Sequence, residues 1–88
     1  MAIKGIETLE QVLQQNNGNS AVISTSHKLY GDQKIKCKLD CIVDEERIGF
    51  RVKSGQEIYM YKNEIESVSI NGAIFFADDV MSVSVQVE

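Results

Sequence analysis

KIKCKLDCIVDEERIGFRVKSGQEIYMYK, residues 34–62, is the stretch that decides the fold. Apolar and polar residues alternate through most of it, which is typical of strands that bury one face. Residues 44–46 (Asp-Glu-Glu) and 54–56 (Ser-Gly-Gln) interrupt the alternation with residue types that favour turns. The stretch therefore predicts three antiparallel strands joined by two tight turns.

The alternation also predicts the register of these strands, because a slip by one residue would turn every apolar side chain toward water. Val43 is expected opposite Ile48, and Lys53 opposite Glu57. Arg51 would then stabilise the sheet through a charge pair with Asp40 and a cation–π contact with Tyr59. On the outer face this register predicts three cross-strand rows: Asp40–Arg51–Tyr59, Lys38–Lys53–Glu57 and Ile42–Gly49–Tyr61.

The remaining segments are expected to complete this sheet. Residues 5–16 are the only helix candidate, because Ile6, Leu9 and Leu13 recur on one face of a helix. A β meander is expected over residues 20–62 and a C-terminal hairpin and strand over residues 65–88. The 88 residues therefore predict one domain, 1–88, that is mainly β, with a short N-terminal helix and a small, strongly bent antiparallel sheet.

Charge is unevenly distributed along the chain. The net charge is −4, yet seven of the nine Lys and Arg residues lie within residues 34–62 and none follows them. An acidic chain is an unfavourable starting point for binding nucleic acid, whose phosphates it would repel. No run of about 20 apolar residues and no signal peptide occurs. We therefore expect a cytoplasmic protein that does not bind a membrane.

Residues with catalytic or metal-binding chemistry are few. Cys37 and Cys41 share one predicted strand, about 13 Å apart, which is too far for the roughly 7 Å that a disulfide allows. We expect both to be small buried side chains. The single histidine, His27, has no partner at metal-ligand spacing. The sequence thus predicts no catalytic site, no cofactor and no metal.

Two segments, IKCKLDCIVDEERIGFRV (residues 35–52) and MYKNEIESV (residues 60–68), resemble the two motifs of the Sm-like family, especially its bacterial RNA-chaperone branch. Tyr61, Lys62 and Asn63 stand where the family's second motif has Tyr-Lys-His, so the histidine is absent. The glycine of the first motif is replaced by Cys37 or Lys38. The resemblance implies an SH3-like barrel, here with an extra C-terminal hairpin, in a ring of six or seven subunits that binds RNA on its faces.

The function we predict is a non-catalytic protein-interaction module that self-associates, such as an accessory or inhibitor protein acting on a protein partner. Ala73–Ala77 is apolar on both faces, and the chain has no proline to guard a strand edge. A small core also gains from added contacts. We therefore expect a homo-oligomer formed through strand edges. The predicted interface residues are Ile74, Phe75, Phe76, Glu64, Glu66, Asp78 and Asp79.

The alternative is an Sm-like protein that binds RNA or single-stranded DNA. Lysines alternate onto one strand face, and tyrosines could stack on bases. Because the chain as a whole is acidic, we do not favour this alternative. The residues that would bind nucleic acid are Lys34, Lys36, Lys38, Arg51, Lys53, Tyr59 and Tyr61.

Overall fold

A computed structural model describes residues 5–52 and 55–88. They form one helix, one short 3-10 helix (Lys62–Glu64) and eight strands. The predicted mainly β class with an N-terminal helix is confirmed. The elements are α1 Ile6–Gln15, β1 Ser20–His27, β2 Gly31–Lys38, β3 Cys41–Val43, β4 Arg47–Arg51, β5 Glu57–Tyr61, β6 Ser67–Asn71, β7 Ala73–Ala77 and β8 Met81–Val87.

The strands form two antiparallel sheets. The larger has five strands in the order β2-β1-β8-β7-β6, and the smaller has three in the order β3-β4-β5. In the part of the chain that the structure describes, neither sheet closes into a barrel. Within residues 5–52 and 55–88, the five-stranded sheet has two edge strands, β2 and β6, whose outward backbone groups pair with no further strand.

The chain passes from one sheet to the other at Leu39 and Asp40, inside the segment that the alternating pattern predicts as a single strand. Here the N–H of Leu39 donates to the Asn19 carbonyl, and the Gly18 N–H donates to the Leu39 carbonyl, both at 2.8 Å. The loop after α1 therefore takes the hydrogen bonds that a neighbouring strand would otherwise make. Leu39 stays buried, so the alternation continues unbroken across the break.

One apolar core lies between the two sheets and α1. The helix contributes Ile6, Leu9 and Leu13, as its sequence pattern predicts. The rings of Phe50 in β4 and Phe76 in β7 approach to 6.2 Å between centroids, which links the two sheets through the core. Both phenylalanines are completely buried.

The predicted register is correct for one strand pair and wrong for the next. Val43 lies opposite Ile48 as expected. Glu57, however, lies opposite Arg51 and not opposite Lys53, which is outside the described residues. The turn is wider than expected, because the Val52 N–H donates to the carbonyl of Gln56 at 2.9 Å. The error is two residues, so every side chain still faces the predicted side.

Candidate protein-interaction surfaces

The outer face of the three-stranded sheet carries Arg51, Tyr59 and Tyr61. The cation–π contact there is made by Arg47, whose guanidinium carbon lies 5.1 Å from the Tyr59 ring centroid, and not by Arg51 as predicted. Tyr59 and Tyr61 meet edge to face, with 5.7 Å between ring centroids. A hydrogen bond with Tyr59 raises the pKa of Tyr61. These aromatic groups therefore interact mainly with their neighbours in the sheet.

Tyr59, and not Tyr61 as predicted, lies opposite Gly49. A side chain at position 49 would collide with the backbone of β5 at Ile58 and Tyr59. Glycine is therefore required for β4 and β5 to approach here. The predicted row Ile42–Gly49–Tyr61 is corrected to Ile42–Gly49–Tyr59 by the same two-residue shift.

Carboxylates neutralise both arginines of this face. Arg47 Nη2 lies 2.9 Å from Asp44 Oδ2, and Arg51 Nη2 lies 3.2 Å from Glu57 Oε2. The backbone N–H groups of Arg47 and Glu46 donate to Asp44 and, with the Arg47 guanidinium, hold the pKa of that carboxyl below its usual value. The face is thus an internally balanced charge network, which offers little positive charge to a phosphate backbone.

The three lysines of β2 lie on a different surface, the outer face of the five-stranded sheet. Lys34, Lys36 and Lys38 are exposed there at alternating positions. Lys36 Nζ is 3.3 Å from Glu88 Oε2, whereas Lys34 and Lys38 form no ion pair within residues 5–52 and 55–88. We call these three residues the lysine edge. Charged side chains on an edge strand are a common device against pairing with another chain.

The structure therefore divides the residues predicted to bind nucleic acid between the outer faces of the two sheets. A cavity of about 880 Å³ brings Lys36 and Lys38 near Arg51. Tyr59 and Tyr61 are not among its lining residues, and Lys53 lies outside the described part of the chain.

The predicted protein interface is also divided. Ile74 and Phe76 are 5% and 0% exposed because they belong to the chain's own core, so they are corrected to core residues. Of the three apolar residues in the predicted interface, only Phe75 faces outward, between Ser69 and Ser84 of the adjacent strands. Pairing of Ser67 with Ala77 brings the acidic group to one end of the β6–β7 hairpin. The members of that acidic group are Glu64, Glu66, Asp78 and Asp79.

The β6 edge is a surface that sequence reasoning missed. Its five residues, Ser-Val-Ser-Ile-Asn, include no charge and no proline. Ile70 is 38% exposed, and Val68 is half-buried against the core. The missed signal is the composition itself, because an edge strand that carries apolar residues, and neither charge nor proline, lacks the side chains that discourage pairing with another chain.

The two cysteines show no sign of catalytic or metal-binding chemistry within the described residues. Cys41 Sγ donates to the Leu13 carbonyl at 3.3 Å, and burial, followed by the nearby Asp40 carboxylate, raises the pKa of Cys41 to about 11. At neutral pH this thiol stays protonated and is a poor nucleophile. Both cysteines are free. In residues 5–52 and 55–88, no group of three or more His, Cys, Asp and Glu side chains is placed to hold a metal ion.

Comparisons of the chain with protein-family models, with curated proteins and with solved structures found no match. The Sm-like resemblance of residues 35–52 and 60–68 therefore stays a prediction. Across the described ranges, no helix has the length and apolar character needed to span a membrane.

Proposed function

We propose that this protein is a non-catalytic protein-interaction module that self-associates by pairing the β6 strands of two copies. The observation that carries the proposal is the neutral, partly apolar β6 edge in a sheet whose other edge bears lysines. An unguarded edge strand presents a row of backbone donors and acceptors that a second copy can satisfy. A cytoplasmic location belongs to the proposal and is supported by the two free cysteines.

Side-chain complementarity selects the register of this pair. In an antiparallel pair with a two-fold axis at Ser69, Val68 of each copy lies opposite Ile70 of the other. The exposed part of Ile70 would then be buried against an apolar neighbour. An axis at Val68 would instead place Ile70 opposite the carboxylate of Glu66, which is unfavourable. We therefore propose an axis at Ser69.

The pair is expected to be weak. Two five-residue strands bury less than the roughly 1,200–2,000 Å² of a stable protein interface. A dissociation constant of about 10–1,000 µM is consistent with an interface of that size. Such affinity makes assembly dependent on local concentration, as suits an accessory protein that gathers at a partner.

Sedimentation equilibrium over a range of protein concentrations tests the proposal. We expect a reversible monomer–dimer equilibrium for the natural chain. Ser69→Lys should make it monomeric, because two ammonium groups would meet at the axis. Lys34→Ser, which alters the other edge, is the matched control and should leave the mass unchanged. A monomer at about 1 mM, or a dimer that survives Ser69→Lys, would overturn the β6 pair.

Binding of single-stranded nucleic acid is the second candidate. The observation that favours it is that Lys34 and Lys38 form no ion pair within the described part of the chain. Adding a fluorescent oligo-U RNA to the sedimentation samples tests it. Salt-sensitive co-sedimentation that is lost with Lys34→Ser/Lys38→Ser would support this candidate. The six- or seven-membered ring implied by the Sm-like resemblance would appear in the same experiment as a much larger mass.

A further inference from the structure

The turn that follows β1 is held in a defined shape by His27. Its Nδ1 atom accepts hydrogen bonds from the backbone N–H groups of Leu29 and Tyr30, at 3.0 and 3.4 Å. The Tyr30 ring packs beside the imidazole, with 4.6 Å between ring centroids. Residues 28–30 are thus ordered by one side chain, and not only by the strands on either side.

The turn that follows β7 is held in a similar way and is joined to the first. Asp78 Oδ1 accepts hydrogen bonds from the N–H groups of Val80 and Met81, at 2.9 and 2.7 Å. The Lys28 N–H donates to the Val80 carbonyl at 3.0 Å. The two turns therefore form one ordered unit, residues 28–30 with residues 78–80, which we call the turn pair.

Large apolar side chains project from the turn pair. Leu29 and Tyr30 are 81% and 84% exposed, and Val80 is 43% exposed. Among the described residues, five large apolar side chains are exposed, and three of them are these. Side chains this exposed contribute little to the core. An ordered turn that presents them, however, loses little conformational freedom when a partner covers them.

Acidic groups lie beside this apolar tip. Asp78 and Asp79 line one groove together with Lys28 and Val80, and Asp32 lies two residues after Tyr30. Asp32 is fixed by a hydrogen bond from Ser26 Oγ at 2.8 Å. A surface of this kind complements an apolar pocket with lysine and arginine at its rim. It is poorly suited to a membrane, because the cytoplasmic leaflet is itself negatively charged.

We infer that the turn pair is a docking element that inserts Leu29 and Tyr30 into an apolar pocket with a basic rim on a protein partner. Tyrosine is among the residues that most often dominate binding energy at protein interfaces. His27 is a positioning residue in this element, since it orders the turn without projecting from it. The element adds a second surface to the proposed module and does not involve β6.

A phage-displayed library of random cyclic peptides, selected on the immobilised full-length protein, supplies the probe. Selected peptides are then synthesised and titrated by calorimetry. We expect peptides that combine Lys or Arg with apolar residues, with at least a tenfold loss of affinity for Leu29→Ser/Tyr30→Ser. His27→Ala should lose about threefold to tenfold, because it keeps both side chains and loosens their turn. Ile70→Ser, on β6, should bind the peptides unchanged.

Several results would overturn this inference. They are failure to select any peptide, selected peptides without Lys or Arg, and binding that survives Leu29→Ser/Tyr30→Ser in a variant whose thermal melting is normal. Co-sedimentation of the natural chain with phosphatidylcholine/phosphatidylserine vesicles, lost in that variant, would assign the turn pair to a membrane instead. Sedimentation of Leu29→Ser/Tyr30→Ser should still show the β6 dimer, so failure of one proposal leaves the other distinguishable.

Discussion

Both edge strands of the five-stranded sheet, β2 and β6, expose backbone groups that another chain could pair with, but only β2 carries charged side chains that discourage this. β2 places Lys34, Lys36 and Lys38 along its exposed face, whereas β6 has no charged residue. Pairing two copies through β2 would bring rows of ammonium groups together. Pairing them through β6 would bring together serines, an asparagine and two apolar side chains.

This difference changes the meaning of the lysines. In the sequence they are most easily interpreted as contacts for phosphate groups. In the structure their position on an edge strand gives them a sufficient role, since charge on an edge discourages association. The function of a basic strand can therefore be assigned only once its position in the sheet, at an edge or at the centre, is known. The β6 strand, which has no charge, is then the edge that favours association between copies.

The two faces of β7 should differ strongly in how much they contribute to folding, because only one of them faces the core. Phe76→Ala should lower the free energy of unfolding by about 3–5 kcal/mol, because it empties a fully buried site against Phe50. Phe75→Ala, one residue away on the outer face, should lower it by less than about 1 kcal/mol. Urea unfolding followed by circular dichroism measures both, since the chain has no tryptophan. Equal losses would contradict the assignment of the two faces.

Replacing the lysines of the lysine edge should allow β2 to pair with another copy, as β6 is proposed to do. We expect Lys34→Ser/Lys36→Ser/Lys38→Ser to form species larger than a dimer, because β2 would then pair as well as β6. Light scattering after size-exclusion chromatography measures the mass. The triple Lys→Glu variant is the control, since it keeps charge on the edge with the opposite sign and should stay no larger than a dimer. Growth of the Glu variant would show that charge does not guard this edge.

A cysteine on β6 tests the register of the proposed pair. Ser69→Cys should form a disulfide-linked dimer under mild oxidation, because residues at the axis of an antiparallel pair have Cα atoms about 4.5–5.5 Å apart. Ser67→Cys should cross-link much less, as it lies opposite Asn71 of the second copy. Non-reducing gel electrophoresis reads the product. The natural chain is the blank, and dominant cross-linking at position 67 would exclude the axis at Ser69.

The affinity of the β6 pair should depend little on salt concentration. Raising NaCl from 0.05 to 1 M should change the dimer dissociation constant by less than about threefold, because β6 has no charge to screen. Sedimentation at both ionic strengths measures this. A dimer that weakens strongly in high salt would mean that ion pairs hold the two copies together. Such pairs could form between the lysine edge of one copy and the acidic residues at the end of the β6–β7 hairpin in the other.

The inward or outward direction of side chains could be predicted from the sequence, whereas strand partners could only partly be predicted. Alternation determines which face each residue occupies, and this holds even at Glu57, whose partner was predicted wrongly by two residues. Turn width sets the register there, and a wider turn moves the strand without changing its faces. The break at Leu39 and Asp40 leaves no mark in the pattern, because Leu39 remains buried.

Surfaces were harder to predict than faces. Ile74, Phe75 and Phe76 form an apolar run in which the sequence cannot distinguish a central strand from an interface. The structure resolves the run by placing β6 and β8 on its two sides. The turn pair depends on hydrogen bonds from Leu29 and Tyr30 to one histidine nitrogen, and the sequence presents that histidine only as an isolated residue.

The place of β8 at the centre of the five-stranded sheet has a consequence for how the chain folds. β8 can pair early with β7, its neighbour along the chain, but its pairing of Val87 with Ala21 requires residues 21–87, about three-quarters of the chain, to close into a loop. Until β1 arrives, Met81–Val87 is itself an exposed strand without charge. Refolding should therefore be slow for so small a domain and should lose yield as concentration rises. The strand edge most prone to aggregation would then be that of β8, which is exposed only until β1 pairs with it.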